Sequence, residues 1–288
     1  MKRYPGHMRF SIITPSYQSG AWLPRCLASV ADQGEDLLLE HIVQDAGSDD
    51  GTREVLAAAP RVTAVIERDE GMYDAVNRGF RKARGEFVAH LNCDEQYLPG
   101  ALRRVAEYFD AHPEADALFA EALVVDRDGR YLCHRSPTVP TRLHTLLGRS
   151  LSYLTCGLFL RRRVISEHHL IFDTSYRVLG DVAWALSFLQ SGLTGLRLRE
   201  ITSAFTATGD NLSLQPAAAI EKTRIRKLAP AWAFPLRPLI GAAYRFRRWH
   251  QGCYSCAPLD YAIYTPDSDG KRKVHHVDHP TCRWRWTA

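Results

Sequence analysis

Phe10-Ser-Ile-Ile-Thr14 is a short apolar run of β-formers, and Trp22, Leu23, Cys26, Leu27 and Val30 follow it at helical spacing, with Ser19 as the expected N-cap. The same strand-then-helix unit recurs three times. His41-Ile-Val-Gln44 reads as a second strand, after which Gly51-Thr52 opens a short helix. Val62–Ile66 is a third, before a helix whose apolar face is Tyr73, Val76, Phe80 and Ala83 and which ends near Gly85. Phe87-Val-Ala-His-Leu91 is a fourth, before a helix through Leu102, Val105 and Phe109 that stops at Pro113. Strands alternating with helices of this length predict parallel βαβ units and a doubly wound α/β sheet.

From Ala117 the rhythm changes. Two β-rich runs flank Asp128-Gly129, a hairpin signal. Leu158-Phe-Leu160 is a further strand-like run, and a helix is expected from about Asp181 to Leu189. The pattern ends near Pro216. Two regions are therefore expected, an α/β domain over 8–215 and a basic, aromatic extension over 216–288.

The chain has 288 residues, 45% hydrophobic and 24% charged, enough to bury a sizeable core and too apolar to be disordered. Its most apolar long stretch, Leu228 to Tyr244, is broken by Arg237 and three prolines, which excludes a spanning helix. Met1 to Arg9 mixes charges with a proline and lacks the apolar core of a signal peptide, so a cytoplasmic location is expected. The net charge is +5, and eight basic residues against one acid fall between Glu221 and His250. A mildly acidic body with one basic segment is not a general nucleic-acid binder. The seven cysteines are odd in number and four stand alone, as expected of reduced thiols. Cys253-x-x-Cys256 and His279-x-x-Cys282 have the spacing of a structural zinc site, weighed against buried thiols beside surface histidines.

In an open α/β sheet, ligands bind beyond the carboxyl ends of the strands. Those ends here carry Thr14-Pro-Ser-Tyr17, Asp45-Ala-Gly-Ser-Asp-Asp-Gly-Thr52, Glu67-Arg-Asp-Glu-Gly-Met-Tyr-Asp74 and Asn92-Cys-Asp-Glu95, which argues for one shared polar crevice. Neither the Gly-x-Gly-x-x-Gly fingerprint nor the Gly-x-x-x-x-Gly-Lys loop is present. Many carboxylates without a glycine-cradled phosphate loop point to a diphosphate held through Mg²⁺ or Mn²⁺. Asp49 and Asp50 read as turn and capping groups for the helix at Thr52, and Glu121 as a solvated edge charge.

These residues resemble the GT-A glycosyltransferases of family 2, especially bacterial enzymes that build polysaccharides. The resemblance runs from about Phe10 to Ser213 and rests on the order and spacing of Ser11–Tyr17, Val43–Thr52, Gly71–Gly79, Leu91–Glu95 and Asp181. It implies a Rossmann-like mixed, mostly parallel sheet flanked by helices, carrying a basic C-terminal extension. It implies an inverting, metal-dependent transfer from a nucleotide sugar, UDP favoured, to a hydroxyl of a glycan or lipid-linked acceptor. Asp45 matches the acid that bonds the base, and Pro15 and Tyr17 the loop that lines it. Asn92-Cys-Asp94 falls on the Asp-x-Asp position, with Asn92 on the ribose side, Asp94 as the Mn²⁺ or Mg²⁺ ligand and Glu95 as a helper. Asn92 departs from the stricter form, because an amide is a poorer metal ligand than a carboxylate. Asp74 and Arg78 are expected near the nucleotide sugar. Asp181 matches the catalytic base, the carboxylate that takes the acceptor's proton as the hydroxyl attacks.

Cations interleaved with Trp232, Phe234, Tyr244, Phe246 and Trp249 suit the anionic inner face of the cell membrane. A packed helix face or a homo-oligomer contact is the alternative for this segment. A non-catalytic nucleotide-sugar binding or scaffold protein is the competing reading of the whole chain, supported by Asn92 and opposed by the presence of both Asp94 and Asp181.

Overall fold

The computed structural model describes residues 8–34, 37–148, 151–209 and 216–283. The expected alternation is present as β1 (Phe10–Ser16), α1 (Leu23–Ala31), β2 (Leu39–Asp45), α2 (Thr52–Ala57), β3 (Val62–Ile66), α3 (Met72–Lys82) and β4 (Phe87–His90). A two-residue strand β5 (Gln96–Tyr97) precedes α4 (Ala101–Ala111), and the hairpin β6 (Ala117–Val125) and β7 (Tyr131–Arg135) turns at Gly129, whose φ of +85° favours glycine. Next come α5 (Arg142–Leu147), β8 (Leu158–Arg161), α6 (Arg163–Ser166), α7 (Gly180–Gln190) and β9 (Gly195–Thr206). The chain continues through α8 (Pro216–Arg226), α9 (Arg237–His250) and a second hairpin, β10 (Leu259–Ile263) and β11 (Lys273–Val277).

The main sheet runs β3-β2-β1-β4-β8-β6-β9-β5, with β7 paired to β6. The β1–β2, β2–β3, β1–β4 and β6–β9 pairs are parallel, while β8 lies antiparallel between β4 and β6. Strands β1–β4, β6 and β9 thus all point one way, and their carboxyl ends share one edge. One face packs Phe10, Phe87, Phe109 and Phe159 under α1 and α4, and the other packs Ile13, Val76, Phe119 and Trp184 under α3 and α7.

Several local readings change. Ser19 does not cap α1: Trp22 precedes its first residue, and Ser19 instead lends its carbonyl to the Trp22 and Leu23 N–H groups at 2.9 Å. Strands β5, β9, β10 and β11 are not among the expected strands, although the Leu196-Arg-Leu-Arg199 alternation in β9 is itself a strand pattern. Glu121 is buried rather than solvated. It accepts from Ser136 Oγ at 2.6 Å and Arg197 at 2.6 Å, and lies 2.8 Å from His134 Nε2. Burial opposes its charge, but these partners outweigh that and hold the carboxyl down at about 2.

The C-terminal region packs closely on the α/β body. Ile225, Ala229 and Ala233 join Leu146, Leu147, Tyr176 and Leu186 in one apolar cluster. Tyr261 and Ile263 join Leu98, Leu123, Val125 and Ala204 in another. The expected grouping of Cys253, Cys256, His279 and Cys282 does not form. Cys256 and Cys282 are joined as a disulfide, His279 is exposed, and the buried Cys253 thiol faces the Pro137 carbonyl at 3.6 Å. Cys26, Cys93, Cys133, Cys156 and Cys253 are free thiols, all buried. Among the described residues no helix is long and apolar enough to cross a membrane.

Candidate active-site cleft

At the carboxyl edge of the sheet lies a cleft of about 990 Å³. Its walls come from the end of β1, the turn after β4, the start of α3, the loop before α7, and helices α5 and α8. Pro15, Tyr17, Asp74, Asn92, Asp94 and Asp181, which are distant in sequence, all line it. Asp45 and Arg78 do not.

Tyr17 follows β1 directly and is 65% exposed, so its ring is presented to the cleft rather than packed in the core. Trp22 stands in the same wall, under the Arg25 guanidinium at 4.6 Å. The loops after β1 and β2 are tied together. Asp50 accepts from the Gly20 N–H at 2.8 Å and from Thr52 Oγ1 at 2.5 Å, and Gln18 donates to Asp49 at 2.6 Å. Both acids therefore serve the loops. Asp45, expected at the base, is fully buried. Its carboxylate accepts from the Gly47 and Ser48 N–H groups at 3.0 and 2.9 Å and from Ser48 Oγ at 2.6 Å. The physical reason is local: a carboxylate at a strand end next to Gly-Ser closes an Asx turn on its own loop.

Asp74 and Arg78 are one helical turn apart on α3 and pair with each other at 2.8 Å. Burial works against the Asp74 charge, but Arg78 and the Glu70 N–H outweigh it, and the carboxyl lies below its ordinary value. Arg78 also reaches Glu67 at 3.3 Å, which turns it away from the cleft and makes it the support of Asp74.

The turn after β4 places Asn92 and Asp94 on the wall and Glu95 beneath it. Glu95 is wholly buried, and one of its oxygens accepts the Asn92 N–H at 2.8 Å. Asn92 Oδ1 is buried without a hydrogen-bond partner. Burial raises the Asp94 carboxyl above its ordinary value against the pull of Arg25, and raises Glu95 further, with the neighbouring Asp94 charge adding to it. An amide oxygen left unpaired beside the Asp94 carboxylate on the cleft wall fits a hard divalent cation that keeps most of its ligands from substrate and water. Asp94 would hold such an ion, with Asn92 beside it.

Asp181 stands in the first turn of α7. Its Oδ1 accepts the Val182 N–H at 2.8 Å, and its own N–H donates to the Tyr73 hydroxyl at 3.3 Å. Burial pushes its carboxyl up to about 6, with backbone bonds opposing. A carboxyl in that range is matched to taking a proton near neutrality.

Sequence reading missed three supports. Tyr73 falls within the Gly71–Gly79 segment and on an apolar helix face, but nothing there marks its hydroxyl as a support, and the Arg135 that follows His134 on β7 lines the cleft without any motif. Glu221 on α8 accepts the N–H groups of Arg177, Val178 and Leu179 at 2.7, 3.1 and 2.8 Å, fixing the loop just before Asp181. Its signal was there as the single acid among eight bases.

The glycosyl transferase family 2 model matches residues 11–170, more than half of the chain. The putative teichuronic acid biosynthesis glycosyltransferase TuaG of Bacillus subtilis is 24% identical over 239 residues, 78% of this chain and 92% of TuaG. The PGL/p-HBAD biosynthesis glycosyltransferases of Mycobacterium are 34% identical over 130 residues, and the chain spans half of their length. The S. aureus TarS 1–349 structure with UDP-GlcNAc superposes with a TM-score of 0.59 at 16% identity, covering 95% of this chain and 100% of that one. Against a longer TarS chain the match covers 60%. The mannosyltransferase PcManGT of Pyrobaculum calidifontis, with GDP-Man and Mn²⁺, superposes with a TM-score of 0.54 at 16% identity, covering 87% and 82%. With its mixed, mostly parallel sheet, its cleft at the strand ends and this family match, the chain has the GT-A fold and belongs to glycosyl transferase family 2.

Proposed function

We propose that this glycosyltransferase moves a sugar, with inversion, from a nucleotide-sugar donor to a hydroxyl of a glycan or lipid-linked acceptor in polysaccharide biosynthesis. The observation that carries this reading is that Asp94 and Asp181, on separate elements, line one cleft. Pro15 and Tyr17 form the platform for the base, and Asp45 shapes the loop beneath it. Asn92 meets the ribose side, and Asp74, held by Arg78, meets the donor sugar. Asp181 takes the proton from the acceptor hydroxyl as its oxygen attacks the anomeric carbon. A Mn²⁺ or Mg²⁺ ion at Asp94, when bound, neutralises charge on the leaving diphosphate. The printed name of TuaG supports a glycan acceptor, and the nucleotides bound by TarS and PcManGT support UDP or GDP donors.

The region over 216–288 is, in this reading, an extension that completes the cleft through α8 and meets an anionic membrane surface through α9. Trp232, Phe234, Leu239, Phe246 and Trp249 are exposed in this region, as are Lys227, Arg237 and Arg245. Rings and cations on one surface suit lipid headgroups. Arg247 and Arg248 do not belong to that face. Arg247 donates to Thr138 Oγ1 and the Val139 carbonyl at 3.0 Å, and Arg248 is buried.

The test is product formation from UDP, GDP and dTDP sugars, with and without Mn²⁺, by the unmodified chain and Asp94→Ala. Turnover of one donor class that needs the ion and is lost in the variant is expected. Equal turnover in chelator, or full activity in Asp94→Ala, would remove the metal from the proposal. No turnover of any donor would remove the transfer.

A further inference from the structure

Away from the cleft, His134, Cys256 and Cys282 each offer a ligand atom within 4.8 Å of the others, the only such group of three or more among the described residues. His134 lies on β7 and is 7% exposed, while both cysteines are partly open to solvent. The Cys256 and Cys282 sulfurs are bonded to each other. A second observation singles out the histidine. Its Nε2 lies 2.8 Å from the buried Glu121 carboxylate, whose other oxygen takes Ser136 and Arg197. Its Nδ1 is buried with no hydrogen-bond partner.

A carboxylate that accepts Nε2–H leaves the lone pair on Nδ1, and an unpaired buried nitrogen is costly unless something occupies it. Carboxylate–histidine pairs of this kind orient metal ligands in zinc sites. We propose that reduced Cys256 and Cys282, together with His134 Nδ1, form a zinc site, with the fourth position left to solvent. Reduction by a dithiol breaks the sulfur–sulfur bond, and the reductant becomes the disulfide. Zn²⁺ then displaces the two thiol protons to solvent and forms two Zn–S bonds and one Zn–N bond. Disulfide and metal are alternative clasps for the same joint.

That joint lies where the C-terminal tail meets the main sheet. Cys256 precedes β10 and Cys282 follows β11, so the disulfide ties the two ends of the hairpin to each other, and the metal would in addition tie them to His134 on β7. The tail is already in register there, with the His134 N–H donating to the Thr281 carbonyl at 2.8 Å and the Tyr131 hydroxyl donating to it at 2.9 Å. The ligand set differs from the spacing motif: Cys253 and His279 are replaced by a histidine more than a hundred residues upstream.

The experiment uses the full chain, reduced with a phosphine, stripped with chelator and titrated anaerobically with Co²⁺ and then Zn²⁺. One sulfur-bound Co²⁺ per chain is expected, read by sulfur-to-cobalt charge-transfer absorption that Zn²⁺ abolishes. The disulfide form should lack that absorption. Cys282→Ser should lose the absorption, His134→Gln should bind at least ~10-fold more weakly, and Cys253→Ser should bind normally. A reduced chain without the absorption would overturn the site, as would equal absorption by the disulfide form or unchanged absorption in Cys282→Ser. Loss of binding in Cys253→Ser would overturn the ligand set. If His134→Gln fails to fold by circular dichroism, Cys282→Ser, on a partly exposed tail, decides.

Discussion

Asp181 donates its backbone N–H to the Tyr73 hydroxyl at 3.3 Å, and that hydroxyl donates to the Val178 carbonyl at 3.0 Å. One phenol on α3 thus spans the loop and the start of α7. The ring fits there because residue 180 is glycine, where a Cβ would come within 2.6 Å of it. Tyr73→Phe keeps the ring and leaves both backbone groups unpaired. We expect a loss of about 1–3 kcal/mol of stability and a lower kcat at unchanged donor affinity. Denaturant unfolding and steady-state kinetics check this, and an unchanged kcat would mean that the hydroxyl does not set the position of Asp181.

Asp181→Asn keeps size and hydrogen-bonding reach while removing basicity. Transfer should fall ~10²–10⁴-fold while calorimetric donor binding survives. The unmodified enzyme should lose activity as pH falls through about 6, where burial has placed this carboxyl, and the variant should lack that limb. Stability moves the other way. A carboxyl raised from 3.8 to about 6 by folding contributes fully below 3.8, and its contribution is lost as pH rises through 6. The variant should therefore be at least as stable as the parent at pH 7 and lose that advantage in acid.

Glu221→Ala removes the acceptor of three backbone N–H groups. We expect destabilisation of roughly 1–3 kcal/mol together with reduced kcat, since the loop it holds leads into Asp181. Glu221→Gln retains one acceptor oxygen and should fall between. Equal melting temperatures and rates in all three proteins would show that the loop is held otherwise.

Asp45→Ala should open the 46–48 loop and weaken nucleotide binding by roughly ten- to a hundredfold, equivalent to ~1–3 kcal/mol. Ser48→Ala, which removes a single hydroxyl donor, should reproduce a smaller part of that loss. Calorimetry with UDP and GDP tests both, and unchanged affinity in Asp45→Ala would confine this acid to turn geometry.

Reversing Lys227, Arg237 and Arg245 to Glu should reduce sedimentation with anionic vesicles while leaving turnover of water-soluble acceptors intact. The parent's binding should weaken in high salt. Changing Arg247 or Arg248 should instead lower stability, because both are packed against the body. If the parent ignores anionic vesicles at low salt, the aromatic face serves another contact.

Apart from the two-residue β5, the strands and helices from Phe10 to Phe109 were legible because each is a local pattern: periodicity, a glycine or proline at its end, polar residues just beyond. Candidate acids were legible for the same reason, since strand ends are where such a sheet places its ligands. What a carboxylate does once it is there was not. Asp45, Asp74 and Glu121 are chemically alike in the sequence. One turned inward onto its own loop, one is held at the cleft by Arg78, and one lies buried among His134, Ser136 and Arg197. The two-residue β5 exists because it completes a sheet whose other strands are elsewhere in the chain. The sequence by itself determined the alternating α/β framework and the edge on which chemistry collects. Only the tertiary structure decided which side chains meet: Glu221 under the Asp181 loop, Tyr73 against Gly180, and His134 rather than His279 beside the two cysteines. Those pairings join residues tens to more than a hundred positions apart, and no local spacing encodes contacts set by packing across the sheet.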